Sequence, residues 1–263
     1  MNRAPFFIIL LFISVSLKSD EFIFVGRIPA KPSFFTTDNL GNCYIIQNDL
    51  LEKFDNKGNL LKTYSNKSFG KISFVDVSNP LKLMLFYRDF LQIIFLDNML
   101  AQNGIAISLD NMGFQQIHQV CSATNNGLWV YNQQNFELIR FDQNLQKTQQ
   151  TGNISQLLSI ELEPDFISEY NNFVYLNNPK TGILVFDIYG TYYKTIPIKC
   201  QSNFQIKDHS IFYFSDQKLK SYNMKTLEET SFSLPDSEVF SARSEKETLF
   251  LLKQNSLDIY SVK

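Results

Sequence analysis

Phe35–Tyr64 reads FTTDNLGNCYIIQNDLLEKFDNKGNLLKTY, and its turns divide it into four short strands. Asp38-Asn39-Leu40-Gly41-Asn42 separates the first strand from the second, and Gln47-Asn48-Asp49 the second from the third. Asp55-Asn56-Lys57-Gly58-Asn59 leads into the fourth. Gly and Asn supply the positive φ that tight hairpins require, and the segments between are aromatic, β-branched or leucine-rich. The stretch is therefore an antiparallel meander.

Variants of it recur to the end of the chain. An apolar-x-x-aromatic signature appears as Leu51–Phe54, Leu138–Phe141, Ile183–Phe186, Leu219–Tyr222 and Leu257–Tyr260, each followed by Asp, Asn or Ser. Gln92-Ile93-Ile94-Phe95 completes the set, with its Asp97 one place late. The aromatics are spaced by 41, 46, 45, 36 and 38 residues. A second marker opens the units at Phe35, Phe74, Phe166, Phe204 and Phe240, with the third unit lacking it. Four strands per repeat at this period describe propeller blades. Apolar runs such as Lys82–Tyr87 and Ile211–Phe214 are nearly continuous, as expected of strands covered on both faces.

The predicted fold class is all-β: a six-bladed β-propeller of four-stranded antiparallel blades. The units fall at about 33–64, 71–107, 115–151, 163–198, 203–234 and 238–263. The last lacks a fourth strand, while Glu21–Ile28 is a strand without a unit. Pairing the two closes the ring and removes an open edge.

Asp38–Tyr44 (D-x-x-G-N-x-Y) followed by Phe54–Gly58 (F-D-x-x-G) resembles the NHL-type repeats of six-bladed propellers. The motif is specific over about thirty residues; elsewhere the period persists without the Gly-Asn pair.

Composition narrows the address. Twenty-four Lys and Arg against 26 Asp and Glu give a net charge of −2, so no global basic field exists to hold nucleic acid. Arg3 followed by the apolar run Pro5–Val15 reads as a secretory signal over 1–19, the mature chain being 20–263. Eleven apolar residues fall short of the roughly 20 that span a bilayer. No lipid-anchor cysteine stands near the cleavage region, so the expected location is secreted or periplasmic. Cys43, Cys121 and Cys200 sit in apolar segments and read as buried thiols. Asn66-Lys67-Ser68 and Asn153-Ile154-Ser155 are glycosylation sequons that matter only in a eukaryotic host.

Chemistry is sparse. Asp208-His209-Ser210 contains triad residue types, but sequence neighbours cannot form a relay, and there is no G-x-S-x-G motif. Gluconolactonase-type propellers hold a divalent metal with Glu, Asn and Asp from separate blades. Asp76, Glu163, Asp165, Glu169 and Glu238 lie near inner strands here, without obviously agreeing in depth. Ser108–Phe114 resembles a sialidase Asp-box but carries an extra residue before Gly113 and reads as a turn. A single Trp argues against a quinone-cofactor propeller. No catalytic, metal or cofactor residue is assigned, and no cofactor is expected.

Loop length selects the candidate site. Ser108–Gln115 and Gly152–Asp165 are long among otherwise tight connections, and binding residues concentrate in such loops. Glu161, Glu163 and Asp165, with Asp110 and His118, form the candidate partner-binding set; a short helix covering the blade edge is the alternative for the second loop. The expected function is a non-catalytic, monomeric module that binds a protein or glycan. The competing reading is a metal-dependent hydrolase or lactonase using the central channel.

Overall fold

The computed structural model describes residues 22–201 and 203–263. The expected signal segment lies outside them. Twenty-four strands run in chain order. They are β1 (Phe22–Pro29), β2 (Phe34–Thr37), β3 (Cys43–Gln47), β4 (Leu50–Phe54), β5 (Leu60–Ser65), β6 (Phe74–Asp76), β7 (Lys82–Tyr87) and β8 (Gln92–Asp97). Next come β9 (Ile107–Ser108), β10 (Ile117–Ala123), β11 (Gly127–Asn132), β12 (Glu137–Phe141), β13 (Lys147–Gln150), β14 (Phe166–Tyr170), β15 (Phe173–Asn178) and β16 (Gly182–Asp187). The last eight are β17 (Tyr192–Ile196), β18 (Gln205–Lys207), β19 (Ser210–Ser215), β20 (Lys218–Asn223), β21 (Glu229–Ser233), β22 (Ser241–Glu245), β23 (Thr248–Leu252) and β24 (Ser256–Val262). Among the described residues a short α-helix, α1 (Ile154–Leu158), precedes the fourth blade, and three single-turn 3-10 helices lie in other connections.

These strands form six four-stranded antiparallel sheets, five of them sequential meanders from β2–β5 onward. The sixth has the order β1-β24-β23-β22. Phe22 pairs with Val262, Ile28 with Leu257 and Pro29 with Ser256. The expected closure of the ring by the N-terminal strand is therefore present. β1 also packs on the first blade: a Cβ on Gly26 would stand 3.0 Å from the Lys57 carbonyl, and one on Gly58 3.3 Å from Ile28.

The Asp of the repeat has a clear physical role. In the turns beginning at Asp38, Asp55, Asp97, Asp142 and Asp187, the carboxylate Oδ1 accepts the backbone N–H groups two and four residues on, at 2.8–3.0 Å. The residue three places on has positive φ: Gly41, Gly58 and Gly190, but Leu100 and Leu145 in blades two and three. Those two blades keep the turn without its glycine, so the motif is hard to see there.

Register corrects one of the repeat markers. The aromatic preceding the turn Asp is buried as Phe54, Phe141 and Phe186. In blade two that position belongs to Leu96, paired with Leu83 and fully buried, because Asp97 caps the turn. Phe95 lies one residue earlier, and a one-residue offset on a strand turns a side chain to the opposite face. It is partly exposed, with the Lys82 ammonium 4.4 Å from its ring centroid. Phe240 likewise departs from its marker: it is 62% exposed and precedes β22, whereas Phe35, Phe74, Phe166 and Phe204 are buried.

All three cysteines are buried. Burial pushes Cys43 and Cys121 well above the ordinary thiol range, which makes them unreactive. No helix among the described residues is long and apolar enough to cross a membrane.

Candidate functional site

In a four-stranded meander the connections between strands one and two, and between three and four, emerge on one face of the disc. The other connections emerge on the opposite face. The inner strands β2, β6, β14, β18 and β22 line a cavity of about 230 Å³. Its apolar end is made by Phe74, Phe166 and Phe204, at or next to the starts of their strands. Phe166 meets Phe74 edge-on at 5.8 Å and Phe204 at 4.8 Å. At the other end, toward the strand one-to-two turns, the lining is polar: Thr37, Asn39, Ser78, Lys207, Arg243 and Glu245.

These polar groups form a network across blades one, five and six. The Gln205 amide donates to Glu245 Oε1 at 2.7 Å, to the Ser244 carbonyl at 3.1 Å and to the Thr37 hydroxyl at 3.3 Å. Lys207 pairs with Glu245 Oε2 at 3.3 Å and donates to the Ser244 carbonyl. Burial draws the Lys207 ammonium below its usual range, and Glu245 opposes the shift. Arg243 donates from Nε to the Thr37 hydroxyl at 3.2 Å. Burial pulls its guanidinium down to about 10, with Glu245 again opposing, so it remains charged at neutral pH.

The other inner-strand carboxylates act as fasteners between blades. Asp76 accepts the backbone N–H of Ser78 at 2.9 Å and that of Ser122 in blade three at 2.7 Å. Glu169 accepts Thr124 N–H at 2.8 Å and the indole N–H of the fully buried Trp129 at 2.6 Å. A second cavity of about 370 Å³ opens between blades two and three, lined by Asn79, Lys82, Phe95, Asn125 and Asn126 among others. Ser78 and Glu169 line both cavities, so the two are neighbours on the same face of the disc.

The sequence-derived candidates lie elsewhere. Gly152–Asp165 does contain a short helix: Asn153 caps α1 by accepting Gln156 N–H at 2.8 Å, and Ile154 and Leu162 are buried. Glu161 and Glu163 are exposed and share one cation, Lys180, at 2.7 and 3.0 Å. Asp165 is at the surface, but the protein packed around it lifts its carboxyl to about 6 against a 2.7 Å hydrogen bond from Asn177. Asp110 is exposed in a turn whose Gly113 N–H donates to its carbonyl at 2.8 Å. His118 sits exposed at the irregularity between Ile117 and Gln119; burial first, then Arg88, lowers its pKa. None of these five lines either cavity. Among the described residues, no three His, Cys, Asp or Glu side chains are placed to hold a metal ion together.

No family model matches this chain, and no curated protein sequence matches it. Solved structures do. The Pan2 WD40 domain of Neurospora crassa aligns over 92% of this chain and 95% of its own at TM-score 0.62 and 9% identity. A catalytically inactive virginiamycin B lyase from Staphylococcus aureus, solved with quinupristin, aligns over 92% and 100% at 0.61 and 11%. BamB from Moraxella catarrhalis aligns over 92% and 100% at 0.52 and 8%. At such identities the likeness is one of fold, and it agrees with the sheet order: this chain is a six-bladed β-propeller.

Proposed function

We propose that the protein is a non-catalytic binding propeller of the secreted or periplasmic space. It receives a protein or glycan partner on the face where the channel opens. The two neighbouring cavities carry this reading. Concave surface on a rigid scaffold is where ligands bind, and the two cavities share Ser78 and Glu169 on the strand one-to-two face. Glu161 and Glu163 lie on the opposite face with their charges answered by Lys180. The channel carboxylates support binding over turnover, because each is occupied by protein donors: Asp76 by two backbone N–H groups, Glu169 by Thr124 and Trp129, and Glu245 by Gln205 and Lys207. A general acid or base needs a carboxylate within reach of substrate. The apolar run at 5–15 supports export.

The test is an assay of the purified mature protein against lactone and ester panels with Ca²⁺, Mn²⁺ or Zn²⁺ added. The expected result is no metal-dependent turnover; sustained turnover with any of them would replace this reading by the hydrolytic one.

A further inference from the structure

Arg243 is a channel cation whose guanidinium edge is left over. Its Nε is fixed by the Thr37 hydroxyl at 3.2 Å, yet neither Nη atom has a hydrogen-bond partner among the described residues. No carboxylate of those residues lies within ion-pair distance of it; the nearby Glu245 is held by Gln205 and Lys207 instead. A partly buried cation with no carboxylate in contact with it is costly to keep. Thr37, which accepts from both Arg243 and Gln205, orients the guanidinium while Glu245 is held on its other partners. The free edge lines the same cavity as Phe74, Phe166 and Phe204.

We infer that the channel is an anion-binding pocket, in which Arg243 receives a planar oxyanion, a carboxylate, attached to an apolar group that rests on Phe74, Phe166 and Phe204. The inference rests on the binding reading above and gives it a ligand chemistry. A guanidinium edge with two parallel donors matches a carboxylate in a way an ammonium does not. Size narrows the ligand. Pockets for drug-sized molecules hold roughly 300–1,000 Å³, and this one holds about 230 Å³. It fits a small aryl or alkyl acid, or the carboxylate-bearing end of one polypeptide. Lys207 is spoken for by Glu245, and Asp76 and Glu169 by backbone and indole donors, so none of them competes for the role.

The test is calorimetric titration of the mature protein with 3-phenylpropanoate and, separately, with its neutral amide. The acid should bind, with the amide about tenfold or more weaker, because hydrogen bonds to a charged group are lost. This comparison uses the wild-type chain and depends on no variant. Arg243→Met should abolish the preference for the acid without lowering the melting temperature, since the cation it removes is partly buried and touches no carboxylate. A tripeptide ending in a free phenylalanine carboxylate, against its amidated form, separates the two sources. Tighter binding of the free-acid peptide than of 3-phenylpropanoate assigns the carboxylate to a polypeptide partner, and the reverse order to a small acid. Equal affinity for acid and amide, no binding of any probe, or an unchanged preference in Arg243→Met overturns the inference. None of those outcomes touches the turnover assay, so the pocket chemistry and the non-catalytic reading fail separately.

Discussion

Arg27 on β1 and Asp258 on β24, 231 residues apart, meet through two parallel hydrogen bonds: Nε to Oδ1 at 2.6 Å and Nη2 to Oδ2 at 2.8 Å. The pair ties the N-terminal strand to the C-terminal one where the ring closes. Asp258 is fully buried and also takes Lys253 at 3.2 Å and the Ser256 hydroxyl at 3.1 Å. Burial alone would raise its carboxyl; hydrogen bonds from Arg27, Lys253 and Ser256 overcome that and hold it below the ordinary range. A carboxyl depressed in the folded state contributes stability that is present above its unfolded value, ~3.9, and lost as pH falls through the folded value. Melting curves from about pH 7 to pH 3 should therefore show wild type losing stability below about pH 4. Asp258→Asn should start lower and fall less steeply over that window. Parallel curves for the two proteins would show that the pair contributes nothing to acid sensitivity.

Removing β1 altogether is the harsher test of closure. A chain beginning at Ala30 leaves β24 as an open edge and exposes the buried Ile28 contact surface on blade six. Each lost backbone hydrogen bond is worth ~0.5–1.5 kcal/mol net, and the ladder as a whole rivals the stability of a typical domain. Circular dichroism should show a large drop in melting temperature or no cooperative transition. A truncated protein that melts within a degree or two of the mature chain would mean the ring does not need this strand.

Blade two provides a paired comparison of register. Leu96 is fully buried against Leu83, so Leu96→Ala should cost about 2–5 kcal/mol. Phe95 is partly exposed and faces Lys82, so Phe95→Ala should cost distinctly less despite deleting a larger side chain. Urea denaturation of both variants reads the order directly, and the reverse order would put Phe95 back in the core.

The turn aspartates make a separate prediction. Asp187→Ala removes the acceptor of the Tyr189 and Thr191 N–H groups, whereas Asp187→Asn keeps one. The alanine variant should melt lower than wild type and the asparagine variant in between. At Asp142, which accepts Asn144 and Gln146 in the same way, the order should repeat. Indistinguishable melts for alanine and asparagine would assign the aspartates a role other than capping.

How far the sequence reached follows from these same elements. Turn chemistry is local, so Asp55–Asn59 announced its hairpin, and the missing strand after Tyr260 announced the closure by β1. Side-chain direction is not local. Phe95 carries the right residue type one place off register, and only the pairing of Leu96 with Leu83 reveals it. The channel was hidden for a related reason: Thr37, Gln205, Arg243 and Glu245 come from three blades and lie up to 208 residues apart. Each sits in an unremarkable polar segment, such as Ser241–Glu245 (SARSE). Long loops drew attention to Glu161, Glu163 and Asp165, but length alone says nothing about which face carries the concavity.

The most direct measurement compares one partner's affinity for three proteins. The partner is first isolated on the immobilised mature chain and then purified. Ser78 is exposed and borders both cavities, so Ser78→Arg should block them without disturbing the core. The account predicts that Ser78→Arg weakens binding about tenfold or more, or ~1.4 kcal/mol, with an unchanged melting temperature. A chain carrying both Glu161→Lys and Glu163→Lys should bind as wild type does. Full affinity in Ser78→Arg together with loss in the double lysine variant would contradict it and move the binding surface to the opposite face.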